Sequence, residues 1–166
     1  HDLIKYLSGM TDLMLNPKEY STTGNQEIDG VLNYMLQKAN KTLNQVDVQI
    51  NIPEDLYFNN FNICVILGNL VDNAVREASK SKEKLLTIKM QIKQEVLLIF
   101  IENSYSGKIL EKRNGLQTTQ PELAIHGIGL ENVKKVVIAN GGEIKIDYTS
   151  NRFCVQVLLY MSRIKN

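Results

Sequence analysis

The sequence predicts an α+β domain: a mixed, mostly antiparallel sheet with helices on one face, preceded by two helices joined by a loop. The element order reads helix, helix, strand, helix, strand, strand, long loop, helix, strand, strand, without the strand–helix alternation of a doubly wound parallel sheet. Most strand segments alternate apolar and polar residues, as strands with one wet face do. The chain has 166 residues, 43% of them hydrophobic and 22% charged, enough for one self-sufficient core and unlike a disordered segment.

Residues 1–15 read as a helix, because Leu3, Leu7, Met10 and Met14 form a heptad-like seam that Asn16-Pro17 ends. After a loop over 17–24, a second helix spans about 26–44, with Ile28, Leu32, Met35, Ala39 and Leu43 along one stripe. Each helix has a single apolar seam, so the pair packs either on the rest of the chain or on a copy of itself in a four-helix bundle. Val46, Val48, Ile50 and Ile52 alternate with polar residues as a half-buried strand stopped by Pro53. A helix over about 59–80 carries Ile63, Leu67, Leu70 and Ala74 on one face and Asn69, Asn73 and Arg76 on the other.

Leu86, Ile88, Met90 and Ile92 alternate in the next strand, Gln94-Glu95 turns the chain, and residues 96–101 are continuously apolar, as in a strand buried on both faces. Residues 104–125 lose periodicity and read as a long loop of the functional or mobile kind. A helix over about 130–140, stopped by Gly141-Gly142, and two strands over 144–148 and 153–161 complete the chain.

A net charge of +1 gives no bulk attraction to nucleic acid or an anionic membrane. Cys64 and Cys154 show no CxxC spacing, so no metal cluster or disulfide framework is expected, in keeping with a reduced cytosolic setting. No apolar run approaches ~18 residues, and no signal-peptide pattern opens the chain. An opening His1 in place of Met marks an expected fragment, with any membrane region lying before it.

Four places carry candidate chemistry. Asn69, Asp72, Asn73 and Arg76 share a helix face. By itself that is also what a solvated face looks like, but asparagine is a poor helix former, its amide oxygen is a hard neutral ligand for Mg²⁺, and Arg76 suits phosphate. Glu102-Asn103-Ser104-Tyr105-Ser106-Gly107 leaves the most apolar strand, either toward a binding crevice or as an ordinary strand exit. His126-Gly127-Ile128-Gly129-Leu130 opens a helix, where backbone amides can approach an anion. It lacks the third glycine of a dinucleotide fingerprint, and no Walker string occurs. His1-Asp2 is either a cloning remnant or a histidine beside the seam whose ring Asp2 orients.

Together these strings resemble the GHKL ATP-binding superfamily of gyrase, heat-shock chaperone, MutL and histidine kinases, over about residues 46–161. Asn69-Leu70-Val71-Asp72-Asn73-Ala74 resembles its N box, Asn103 with Ser104 to Gly107 a degenerate first glycine box, and His126-Gly127-Ile128-Gly129-Leu130 its second. Within the superfamily the chain is most similar to peptide-pheromone sensor histidine kinases, the agr/com quorum-sensing branch. Thr23-Gly24-Asn25-Gln26-Glu27-Ile28-Asp29 resembles the start of that branch's second hairpin helix, and His1-Asp2-Leu3 its phosphoacceptor box.

The resemblance implies a two-layer α/β sandwich of Bergerat type over 46–166, and over 1–45 a partial dimerisation and phosphoacceptor hairpin. It implies that Asn73 ligates Mg²⁺ bridging the ATP phosphates, with Asn69 and Arg76 beside it. Asn103 accepts from the adenine amino group, where most of the superfamily has Asp. Gly107, His126, Gly127, Gly129 and Leu130 line the nucleotide under an ATP lid. The implied activity is ATP-dependent transfer of the γ-phosphoryl to a histidine, His1, with Asp2 beside it, and then to an aspartate of a response regulator. The implied protein is a homodimeric phosphoprotein of a two-component system, cytoplasmic here and anchored to the membrane only through what precedes His1.

Asn69 stands where the superfamily's hydrolases and anti-sigma serine kinases carry a general-base Glu, which disfavours ATP hydrolysis. Lys5 stands where related kinases have Asn or Thr linked with phosphatase activity. A nucleotide-binding scaffold that no longer transfers phosphate is the second reading, and an ATPase or anti-sigma kinase the third.

Overall fold

The structure is a computed structural model that describes residues 21–106, 109–112, 115–118 and 121–161, with side chains described for 21–106 and 129–161. Helices α1 (Gln26–Thr42), α2 (Asn60–Lys80) and α3 (Pro121–Ala139) cover one face of a five-stranded sheet. The strands are β1 (Gln45–Asn51), β2 (Leu85–Lys93), β3 (Val96–Ser104), β6 (Glu143–Tyr148) and β7 (Arg152–Tyr160), in spatial order β1-β2-β3-β7-β6. The first pair is parallel and the other three are antiparallel. A separate hairpin joins β4 (Ile109–Lys112) to β5 (Gly115–Thr118). This is the expected α+β two-layer sandwich with a mixed, mostly antiparallel sheet.

Helix α2 sits between α1 and α3 and forms the centre of the helix layer. Its N-cap is Asn59, whose side chain accepts a hydrogen bond from the Asn62 amide at 3.2 Å. Ile63, Leu67, Leu70 and Ala74 are buried, as their spacing predicts, together with Ile66, Val71, Val75 and Ala78. Below them lie Leu86, Ile88 and Met90 of β2, Leu97, Ile99 and Ile101 of β3, and Val155, Val157 and Leu159 of β7. Residues 97, 99, 101 and 103 of β3 are buried and alternate with half-buried ones. The expected burial on both faces is therefore corrected: with helices on one side only, the back of the sheet stays partly wet. There the Lys89 ammonium lies over the Phe100 ring, 5.7 Å from its centroid.

Helix α1 buries Ile28, Val31, Leu32, Met35, Leu36 and Ala39 in the same core cluster as α2 and the sheet. Its seam is covered by its own chain, one of the two options the sequence left open. The Gln94-Glu95 turn forms as read, with both residues at positive φ (50° and 64°), the geometry of a two-residue hairpin turn.

The sequence reading fails over 104–125. That stretch is not one loop: it holds the β4–β5 hairpin and the first turn of α3, which starts at Pro121, nine residues before the expected Leu130. Proline fits the first position of a helix, where its missing N–H costs nothing, and the hairpin register pairs Lys112 with Gly115. Helix α3 ends as read. Gly141, at φ 68°, donates to the Ile138 carbonyl, and Gly142 donates to that of Val137, both at 2.9 Å.

Candidate functional site

The site is built on the polar face of α2. Asn69, Asp72, Asn73 and Arg76 are all half-exposed there, and their bonds run along the helix. Asn69 donates through Nδ2 to the Val65 carbonyl at 2.8 Å, which leaves its Oδ1 turned outward. Arg76 donates through Nη2 to Asn73 Oδ1 at 2.5 Å and through Nη1 to Asp72 Oδ2 at 3.4 Å. Asp72 also accepts from Lys38 Nζ of α1 at 3.2 Å. A polar chain thus links α1 to the outermost amide of the face. Both ion pairs are well exposed, and each contributes at most about 1 kcal/mol.

Facing this array is the middle of α3. A Cβ placed on Gly129 would lie 3.3 Å from Asn73 Nδ2 and 3.4 Å from Asn69 Oδ1. The missing side chain lets the α3 backbone approach the two asparagines. Leu130, the next residue, packs partly buried against the core. This arrangement corrects the expected position of the second glycine box. Gly127 and Gly129 lie inside α3 and not at its start, so the amide-rich helix N-terminus is at Pro121. What Gly129 supplies is room, at about 1 kcal/mol relative to alanine in a helix interior.

Asn103, next to last in β3, lies on the helix-facing side of the sheet and is only 4% exposed. Its Nδ2 donates to the Ser104 carbonyl at 2.9 Å. No donor among the described residues reaches its Oδ1. The residues after it are used by the fold. Ser104 Oγ accepts from the Leu85 amide at 2.8 Å and bonds Ser81 Oγ at 2.7 Å, tying the end of β3 to the end of α2. Tyr105 donates to the Thr149 carbonyl and meets the Phe153 ring edge-on, and burial pushes its phenol pKa up. Ser106 Oγ donates to the Lys80 carbonyl at 3.1 Å, closing the C-terminus of α2.

The structure therefore brings Asn69, Asn73, Arg76 and Gly129 together and sets Asn103 beside the joint between β3 and α2. His1, Asp2 and Gly107 lie outside the described residues, as do the side chains of His126 and Gly127. Sequence reasoning missed the Lys38–Asp72 pair, whose partners are 34 positions apart, and the Ser81–Ser104 tie. A serine just past a helix end was the one available signal for the latter. Among the described residues no group of three His, Cys, Asp or Glu side chains is placed to hold a metal ion, and no helix is long and apolar enough to cross a membrane. Neither cysteine forms a disulfide.

The sandwich order, the asparagine face and the glycine opposite it define the class. Residues 58–160 match the profile described as the GHKL domain, and the chain belongs to that family. Its fold is that of histidine kinase catalytic domains. The Acinetobacter baumannii histidine kinase AdeS superposes with a TM-score of 0.60 at 18% identity, covering 98% of this chain and 78% of that one. The catalytic domain of histidine kinase ThkA gives 0.61 at 19% identity, over 84% of this chain and 94% of that one. The Erythrobacter litoralis EL346 blue-light activated histidine kinase gives 0.58 at 14% identity, over 98% of this chain and 54% of that one. No curated protein matches the chain.

Proposed function

We propose that this chain is the catalytic part of a sensor histidine kinase of the peptide-pheromone, agr/com-like quorum-sensing branch. It binds Mg-ATP and passes the γ-phosphoryl to a histidine, His1, and from there to an aspartate of a response regulator. The observation that carries the reading is the approach of Gly129 to within a methyl group's width of Asn69 and Asn73. A helix that gives up a side chain to bring its backbone against two amides is in keeping with a site shared by α2 and α3. The residues present fit the group. Asn73 and Asn69 offer neutral hard oxygens, Arg76 offers guanidinium donors for phosphate, and Asn103 keeps an acceptor oxygen for an exocyclic amine.

Asn73 would hold the metal, and bound Mg²⁺ supplies the positive charge that neutralises the phosphate oxygens. The protein's own work is positioning. Asn69 orients without taking a proton, because an amide is no base, so transfer to an imidazole is favoured over hydrolysis. Gly107, His126, Gly127 and Leu130 complete the nucleotide's surroundings, and Asp2 orients the His1 ring. The domain boundary at residue 45, a homodimer through the helical hairpin, and a membrane anchor before His1 belong to the same reading. Since α1 already buries its seam on α2, a dimer would use the segment before Ser21 or another face of α1.

Calorimetric titration with ATP, with and without Mg²⁺, beside Asn73→Ala tests the site. Saturable, Mg²⁺-dependent binding that weakens roughly 10- to 100-fold in the variant is expected, the cost of about 1–3 kcal/mol for one lost charged-partner contact. Acid-labile, base-stable label on His1 is expected next. One observation favours the scaffold reading: Arg76 already occupies Asn73 Oδ1. Tight ATP binding that ignores Mg²⁺, with no phosphohistidine, would establish that reading instead.

A further inference from the structure

The two edges of the sheet are guarded differently. Strand β6 closes one edge and exposes Glu143, Lys145 and Asp147, with Lys145 Nζ 3.0 Å from Asp147 Oδ2. Charges in that position, lysine above all, keep another strand from adding on. Strand β1 closes the other edge and carries one charge in seven residues, Asp47, with no lysine, arginine or proline. Its register with β2 runs unbroken from Gln45 to Asn51, so no bulge turns this edge aside.

The ladder decides which backbone groups face outward. The Gln45 amide donates to the Lys84 carbonyl at 3.3 Å, so the odd-numbered residues of β1 bond to β2. In a parallel pair both polar groups of one residue point at the neighbouring strand and both of the next point away. Val46, Val48 and Ile50 therefore turn their N–H and C=O groups to the open side, where no group among the described residues meets them. Their side chains pack on the core yet stay only half-buried.

We propose that β1 is the docking edge for a second copy of this chain, paired antiparallel about a two-fold axis at Val48. That register sets Val48 opposite Val48 and Val46 opposite Ile50 as hydrogen-bonded pairs, and these are the residues whose groups face outward. It sets Asp47 opposite Gln49 and Gln45 opposite Asn51 on the wet face, so the carboxylate meets an amide and not its own copy. Within the chain Gln45 Nε2 donates to Asp47 Oδ2 at 2.7 Å, which leaves Oδ1 for the second copy's Gln49. A two-residue slip one way brings the two Asp47 carboxylates face to face, and a slip the other way leaves Val46 outside the pairing. The apolar rows of both copies lie on one side of the joined sheet and cover each other. The contact does not depend on the kinase reading and is separate from any dimer made through the helical hairpin.

Two readouts address this edge alone. Asp47→Cys on one chain and Gln49→Cys on another, both in a Cys64→Ala, Cys154→Ala background, should cross-link on mild oxidation, since facing residues of this kind stand about 4.5 Å apart at Cα. Asp47→Cys chains alone should cross-link at least about tenfold less, because their cysteines lie on a diagonal of about 7–8 Å. Hydrogen exchange gives the second readout, with the Asp47 and Gln49 amides, bonded to β2, as internal reference. The Val46, Val48 and Ile50 amides should exchange at least about tenfold more slowly in the parent than in Gln49→Asp, which opposes like charges twice across the axis. Gln49→Lys, which opposes unlike charges, should slow them further. Val48→Pro removes an outward N–H without touching the β2 ladder and should abolish protection at Val46 and Ile50; Gln49→Asp decides if that variant folds poorly. Fast exchange of the three amides in the parent overturns the proposal, as does exchange indifferent to the charge at residue 49. Slow exchange without cross-linking of the mixed chains also overturns it, since something other than a second copy then covers β1. Equal cross-linking by Asp47→Cys chains alone overturns the axis at Val48.

Discussion

Helices α2 and α3 lie on the same face of the same sheet, yet they are held in opposite ways. Helix α2 is fixed by what its side chains fill: eight buried apolar residues, an Asn59 cap and the Ser81–Ser104 tie. Helix α3 is fixed by what is missing. Among its described side chains only Val133 and Val137 are fully buried, Ile138 is 68% exposed, and glycines govern its approach to the rest. The contrast assigns roles. Helix α2 is a floor whose polar residues are bonded to one another and to its own backbone. Helix α3 is a wall whose distance from that floor is set at two backbone contacts, Gly129 against the asparagines and Gly142 against β7.

The harshest way to break this contrast is at Gly142. A Cβ there would sit 2.4 Å from the Leu158 carbonyl oxygen and 2.7 Å from Leu159 Cδ2. Backbone cannot give way as a side-chain tip can, so Gly142→Ala is expected to cost about 3 kcal/mol, the upper end of overpacking penalties. In a chain of this length that is roughly 6–12 °C of Tm, readable by calorimetry. Gly141→Ala is the internal control. Nothing lies within 4 Å of its Cβ, and only the positive φ of 68° is strained, so about 1–2 kcal/mol is expected. Equal losses at the two positions would mean that α3 is not seated on β7 through Gly142.

Gly129→Ala sharpens the comparison because stability and binding should part company. Alanine improves the helix by about 1 kcal/mol, offset in part because Asn73 must shift by a few tenths of an ångström. Thermal stability should hold or rise slightly, while Mg-ATP affinity weakens by about tenfold, or 1.4 kcal/mol. A variant that binds as tightly as the parent would show that α3 withdraws from α2 when nucleotide enters.

The same contrast explains what was legible in the sequence. The floor was readable because burial imposes a period: Ile63, Leu67, Leu70 and Ala74 on one side of α2, Asn69, Asn73 and Arg76 on the other, and alternation in β1 and β2. The wall was not. Gly127-Ile128-Gly129 looks like a helix boundary, since glycine is costly inside a helix, and the asparagines opposite Gly129 explain that residue only once the fold is known. The cue for the start of α3 was present in Pro121, but the absence of a period hid it and the β4–β5 hairpin alike. The apolar seam of α1 showed that it needed a partner without saying which, because a stripe carries no address. The Asn73–Arg76 bond follows from a three-residue spacing, whereas Lys38–Asp72 depends on how α1 crosses α2, which no local pattern encodes.

The smallest expected effect concerns the other side of the floor, where α2 meets α1. Burial, with a smaller contribution from the Glu27 charge on α1, pushes the Cys64 thiol up to about 11 from an ordinary 9.0. At pH 8 its thiolate fraction, and hence its alkylation by iodoacetamide, should be about a hundredfold below that of a free thiol. Glu27→Gln should speed the reaction modestly, since the carboxylate is the lesser cause. The stability consequence has a definite sign. Between pH 9 and 11 the unfolded chain has lost this proton while the folded chain keeps it. The unfolded state then binds fewer protons, and stability falls as pH rises across that window. Cys64→Ala should make the fall shallower without abolishing it, because burial also raises the Cys154 thiol. Fast alkylation of Cys64 in the native chain would mean that α1 leaves α2 readily, and the floor would then be no more fixed than the wall.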